Sequence, residues 1–178
     1  MKIILEGSLM KYFEILADSR IQYKYKIENL EWQENDGQTI GVGYFKGEEE
    51  DLPDFVNYKK QFLVSLELKN VLEMYTDEVN FKLLILNNLE EKSQKEYYSV
   101  EPLLVEGLGE STTYNRDGSA KEKVLSCKKL HDYKVFGIKE LEPTQFSKPH
   151  IFVHLDIVES ALRRELWGMT FEEMVVEE

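Results

Sequence analysis

A single cysteine, Cys127, stands in the 178-residue chain, so no internal disulfide is available to staple it. That usage suits a reducing compartment. Its setting, Val124-Leu125-Ser126-Cys127, reads as a strand, which makes Cys127 a buried spectator rather than a reactive thiol. Basic residues are scarce too: 22 Lys and Arg face 34 Asp and Glu, a net charge of −12. Such a chain lacks the basic footprint that phosphate contacts require and repels nucleic acid and anionic membranes; its acidity either attracts basic partners or serves solubility alone. No apolar run approaches the length needed to cross a bilayer. The segment Met1-Lys2-Ile3-Ile4-Leu5-Glu6 meets an acid before a signal-peptide hydrophobic region can build. These absences predict a soluble, cytoplasmic protein.

Catalytic and cofactor signatures are missing as well. His150 and His154 would share one face of a helix, but His150-Ile151-Phe152-Val153-His154 reads as a strand. Four residues along a strand span about 13 Å, too far for two ligands of one ion. His131 sits beside a loop with no further ligand at a recognisable spacing. Gly41-Val42-Gly43 lies inside a strand pattern, and Gly107-Leu108-Gly109 lacks the third glycine and following helix of a phosphate cradle; bulges or close backbone approach explain both. Neither Ser111 nor Ser126 has a nucleophile-elbow setting. The expectation is no catalytic residue, no metal and no cofactor.

What is present is an ordinary globular composition, 42% hydrophobic with 12% aromatic, enough for one self-sufficient domain over residues 1–178. Residues 1–51 read as a mostly β N-terminal part. Residues 21–27 alternate apolar and polar as a half-buried strand does, and Asn35-Asp36-Gly37 marks a hairpin before Ile40, Val42 and Tyr44. Whether residues 11–17 form a short helix is left open by the pattern. Glu48-Glu49-Glu50-Asp51 is a solvated acid run, and Asn115-Arg116-Asp117-Gly118 a second turn. The C-terminal acids Glu172, Glu173, Glu177 and Glu178 read as solvated.

One local pattern occurs twice. Phe62-Leu63-Val64-Ser65-Leu66 continues through Leu68, Val71 and Leu72 to Val79 and Phe81; Ile151-Phe152-Val153-His154-Leu155 continues through Ile157, Ala161 and Leu162 to Met169 and Phe171. Each reads as strand, polar hinge, short helix, strand, with Ser65 and His154 at the hinges. Trp167 is expected to seal the core, and Gly168 to cap the second helix. The fold class is therefore α+β, with mixed or antiparallel sheets, short helices and two similar strand–helix–strand units.

These segments, together with Leu52-Pro53-Asp54-Phe55, Val79-Asn80-Phe81, Tyr97-Tyr98, Val124-Leu125 and Val135-Phe136, resemble an immunity-protein family of bacterial polymorphic toxin systems that was long catalogued as a domain of unknown function. The resemblance spans roughly residues 52–174, an immunity-like α+β part, with residues 1–51 matching only loosely. The chain departs from the family at His154, where serine is common, and at residues 107–111, where an aspartate is common. The resemblance implies a non-enzyme that binds a cognate toxin and covers its active site or substrate groove. Charge adds that the toxin surface is basic. Glu48, Glu49, Glu50, Asp51 and Tyr114 are the candidate partner-binding residues, nearer the contact surface than the helix within 155–167. Two competing readings are a small enzyme assembled from scattered groups such as His154, Glu159 and Tyr98, and a module that self-associates through a sheet edge.

Overall fold

The computed structural model describes residues 10–141 and 148–178; the Met1 to Glu6 reading lies outside them. The described chain is a strand-rich α+β fold. Its strands are β1 (Tyr12–Ala17), β2 (Lys26–Asn35), β3 (Gln38–Lys46), β4 (Phe55–Tyr58) and β5 (Gln61–Ser65). Helix α1 (Leu66–Glu73) leads to β6 (Asn80–Asn88), β7 (Ser93–Glu101), β8 (Leu104–Val105), β9 (Thr113–Tyr114), β10 (Ala120–Glu122) and β11 (Val124–Ser126). After α2 (Cys127–Leu130) come β12 (Val135–Ile138), β13 (Phe152–His154), α3 (Leu155–Arg163), β14 (Met169–Glu173) and β15 (Val175–Glu177).

Two larger sheets carry the molecule. One has the order β2-β3-β6-β7-β5-β4, the other β14-β1-β13-β12-β8. Both are mixed, because β3 pairs with β6 and β12 with β8 in parallel while the remaining pairs are antiparallel. Phe55, Phe62 and Val64 of the first sheet meet Ile15, Val135 and Val153 of the second, along with the buried faces of α1 and α3. Each sheet also buries its other face: Leu63, Leu84 and Leu86 in one case, Tyr12, Phe136 and Phe152 in the other. Burial on both faces explains why residues 62–64 and 151–153 are continuously apolar rather than alternating. Apolar burial of this kind contributes roughly 25 cal/mol per Å² and is the main stabilising term.

Several sequence expectations need correction. The question left open at residues 11–17 closes as a strand: Tyr12–Ala17 lies between β13 and β14, so the N-terminal part is divided, with β1 in the C-terminal sheet and β2 and β3 in the other. The alternation at 21–27 does not make a strand there: residues 18–24 turn, and β2 begins at Lys26. A short alternating run carries no signal of whether a partner strand is in reach. Cys127 opens α2 and is half-buried. Of the C-terminal acids, Glu172, Glu173 and Glu178 are exposed as expected, and Glu177 is the exception. Glu172 and Glu173 lie in β14, and the Glu177 carboxylate accepts from the Glu110 and Ser111 amides at 2.5 and 3.3 Å. The Asn35-Asp36-Gly37 hairpin stands as expected, with φ of 47° at Asp36 and 78° at Gly37.

Both polar hinges are helix N-caps. Ser65 Oγ accepts from the Leu68 amide at 3.2 Å, and His154 Nδ1 accepts from the Asp156 amide at 3.2 Å. Lys134 Nζ also lies 3.2 Å from His154 Nδ1 and donates to Asp156 at 2.9 Å. Nδ1 cannot accept the amide and also donate to Asp156, so the cap requires an imidazole deprotonated at that nitrogen. Burial, then the nearby Lys134 ammonium, pushes the His154 pKa below its ordinary 6.5. The cap's contribution is therefore present in full above about pH 6.5 and is lost as pH falls through the folded value. His154→Ala is expected to lower stability by about 1 kcal/mol at neutral pH. His154→Ser restores the cap and flattens the pH dependence between about 5 and 7, as thermal unfolding across that range will show.

Candidate functional site

The segment Leu52-Pro53-Asp54-Phe55 is the node from which the site is built. Asp54 Oδ1 accepts from Ser65 Oγ at 2.5 Å and Oδ2 from the Trp167 amide at 2.8 Å. Its own backbone N–H donates to Trp167 O at 3.0 Å, and its carbonyl accepts from the Ser65 amide at 2.9 Å. The buried Tyr97 hydroxyl donates to Pro53 O at 2.7 Å. Burial, followed by the neighbouring Asp54 charge, pushes the Tyr97 phenol far above its ordinary value, so it remains a donor at any working pH. One four-residue segment thus joins the start of α1, strand β7 and the segment after α3.

Trp167 and Gly168 do not play the roles their sequence suggests. Helix α3 ends at Arg163, and Glu165, with φ 56°, takes the left-handed conformation after it. Gly168, φ 82°, lies beyond, where a Cβ would overlap Pro53. Trp167 is 38% exposed rather than sealed into the core, because its backbone is tied to Asp54 at the rim.

Above this node opens a cleft of about 500 Å³. Leu52, Ser65 and Tyr97 line it at the node, and Trp167 is part of its wall. The remaining lining is mostly acidic: Glu49 and Glu50 from the 3₁₀ turn Glu49–Asp51, Glu67 from the first turn of α1, Glu96 from β7, and Asp54. Lys95 is the one cation among the lining residues, 3.5 Å from Glu49. Five carboxylates therefore face one ammonium, in a recess where charges interact more strongly than on open surface. An exposed indole beside carboxylates is suited to receive Lys or Arg side chains through ion pairs and cation–π contact.

Of the residues expected to bind a partner, Glu49 and Glu50 line this cleft. Glu48 precedes the 3₁₀ turn at the surface, and Asp51 pairs with Lys24 at 3.2 Å. Tyr114 is 54% exposed on the separate β9–β10 hairpin and is not part of the lining. Asp54, Glu67, Glu96 and Trp167 escaped the sequence reading. Glu67 has a local signal, an acid two residues after an N-cap serine; the others converge only through β5–β7 pairing and the Asp54–Trp167 bonds. His154, Glu159 and Tyr98 do not assemble: none lines the cleft, and no hydrogen bond, ion pair or ring contact joins any two of them. Among the described residues, no group of three or more His, Cys, Asp or Glu is arranged to hold a metal ion.

A second cluster was also not foreseen. Glu14, on the central strand β1, is 2% exposed, yet its two oxygens are taken by His150 Nδ1 and Lys123 Nζ. Burial alone would raise its pKa, but those two hydrogen bonds and charges more than offset it and hold the carboxyl below 4.5. His150 stacks on Phe152 at 6.2 Å, and Lys123 lies 6.0 Å from the centre of the same ring.

The chain matches no protein-family model and no curated protein sequence. No helix among the described residues is long and apolar enough to cross a membrane.

Proposed function

We propose that the protein is a stoichiometric inhibitor of the immunity type, which binds a cognate toxin in the cytoplasm through its acidic cleft and covers the toxin's active site or substrate groove. The observation that carries this reading is the cleft's lining, five carboxylates and an exposed tryptophan against one lysine. A basic groove, such as one that holds a nucleic acid, is the complementary surface, and the net charge of −12 favours its approach. Residues 62–81 and 151–171 form two similar units in this reading, each with a hinge side chain capping its helix. Asp54, bonded to Ser65 of the first unit and to Trp167 of the second, then links the two units at the binding site.

Once the partner is in hand, Glu49→Lys, Glu50→Lys and Glu67→Lys together are expected to lower its association rate about tenfold or more at low salt and to flatten the salt dependence. Stopped-flow measurement over a salt series decides it. An unchanged rate and slope would remove the cleft from the interface.

A further inference from the structure

This acidic chain carries one recess of the opposite sign. It holds about 470 Å³ beside the short strand β8, at the edge of the second sheet. Lys128 and Lys129 of α2, His131 just after that helix and Lys139 just after β12 line it, with Glu106 as the single carboxylate among the lining residues. A chain of 34 acids and 22 bases thus gathers three ammoniums and an imidazole against one carboxylate. Lys128 and Lys139 are exposed and make no ion pair or hydrogen bond among the described residues. Lys129 gives one N–H to Leu108 O at 2.8 Å and is also attracted by Glu177, outside the recess. Like charges gathered in this way repel one another, and an anion seated among them removes that cost. Apolar contact comes from Leu103, Leu104 and Tyr133, whose ring meets His131 edge-on at 6.4 Å. The Tyr133 hydroxyl has no hydrogen-bond partner among the described residues.

We infer that this recess binds a small organic polyphosphate of the nucleoside triphosphate class. Several ammoniums around one recess match the closely spaced charges of a phosphate chain, which a single carboxylate head would leave mostly unanswered. Tyr133 and Leu104 offer apolar and aromatic surface to a planar ring body. The volume is that of an ordinary small-molecule site. The recess shares no lining residue with the acidic cleft, so it is a second site and not part of the first.

The probe is ATP without divalent cation, titrated into the intact protein at about 0.1 M salt and followed by amide and Tyr133 ring resonances. Saturable binding with a dissociation constant of about 0.3 mM or tighter is expected, with inorganic tripolyphosphate about tenfold weaker because it lacks the ring. Lys128→Glu with Lys139→Glu weakens ATP about 30-fold or more. Lys92→Glu with Lys121→Glu, exposed lysines outside the recess, alters the net charge equally and changes affinity about twofold or less. Thermal unfolding of both pairs checks that each remains folded. Tyr133→Leu brings ATP down to the affinity of tripolyphosphate and leaves tripolyphosphate itself unaltered. No saturable binding of ATP, or equal weakening by the two lysine pairs, would overturn the site. Equal affinity for ATP and tripolyphosphate would overturn the ring body, and tighter binding of an oligoglutamate peptide than of ATP would give the recess to an acidic protein segment instead.

Discussion

Replacing Gly168 by alanine is expected to destabilise the protein by about 2–5 kcal/mol, more than the same change at the other turn glycines. Two costs add. The residue sits at φ 82°, where an L side chain is strained by about 1–2 kcal/mol. Its Cβ would also overlap Pro53, and relieving that clash costs about 1–3 kcal/mol because Pro53 belongs to the rigid node. Gly37 and Gly118 provide the control, with φ of 78° and 84° but no atom within 4 Å of the place a Cβ would take. Alanine there is expected to cost only about 1–2 kcal/mol. Urea titrations of the three variants separate backbone strain from steric overlap. A Gly168 value equal to the controls would mean that Pro53 yields, and that the node does not hold the cleft rim rigidly.

Lys123→Met is expected to cost about 3 kcal/mol or more near neutral pH, since it leaves the Glu14 carboxylate buried without its ammonium partner. Glu14→Gln costs less, about 1–2 kcal/mol, because the Lys123 and His150 side chains it abandons, 23% and 26% exposed, can reach water. The pH dependence has a definite sign. The folded-state pKa of Glu14 is lowered, so its contribution is complete above the unfolded value of about 4.5 and is lost as pH falls through the folded value. Stability differences between wild type and Lys123→Met should therefore shrink as pH falls from about 5 to 3. A constant difference over that range would show that Lys123 acts through packing on Phe152 and not through the carboxylate.

The parts of the fold legible in the sequence are those fixed by local chemistry. Ser65 announces an N-cap by position, Asn35-Asp36-Gly37 announces a turn by its tolerance of positive φ, and the doubly buried runs at 62–64 and 151–153 are apolar throughout. His154 was readable as a hinge, though the dependence of its cap on Lys134 and on a neutral imidazole was not. The sites depend on long-range pairing. Asp54 looks like any acid near a proline until Trp167, 113 residues later, donates to it. Glu14 carries a faint warning, one acid inside Tyr-Phe-Glu-Ile-Leu-Ala, but its partners stand 109 and 136 residues away. The acid run Glu48 to Asp51 divides in the fold, with Glu49 and Glu50 facing the cleft and Asp51 tied to Lys24, a distinction that composition does not contain.

The most direct test of the account is a paired capture from lysate of the source organism, with wild type and the Glu49→Lys, Glu50→Lys, Glu67→Lys variant as tagged baits, read by quantitative mass spectrometry. The account predicts that wild type retains a stoichiometric toxin-bearing partner with a basic surface and that the variant loses it while keeping its thermal stability. Equal recovery of that partner by both baits would contradict binding through the acidic cleft, and a partner with no toxin activity would contradict the immunity reading itself.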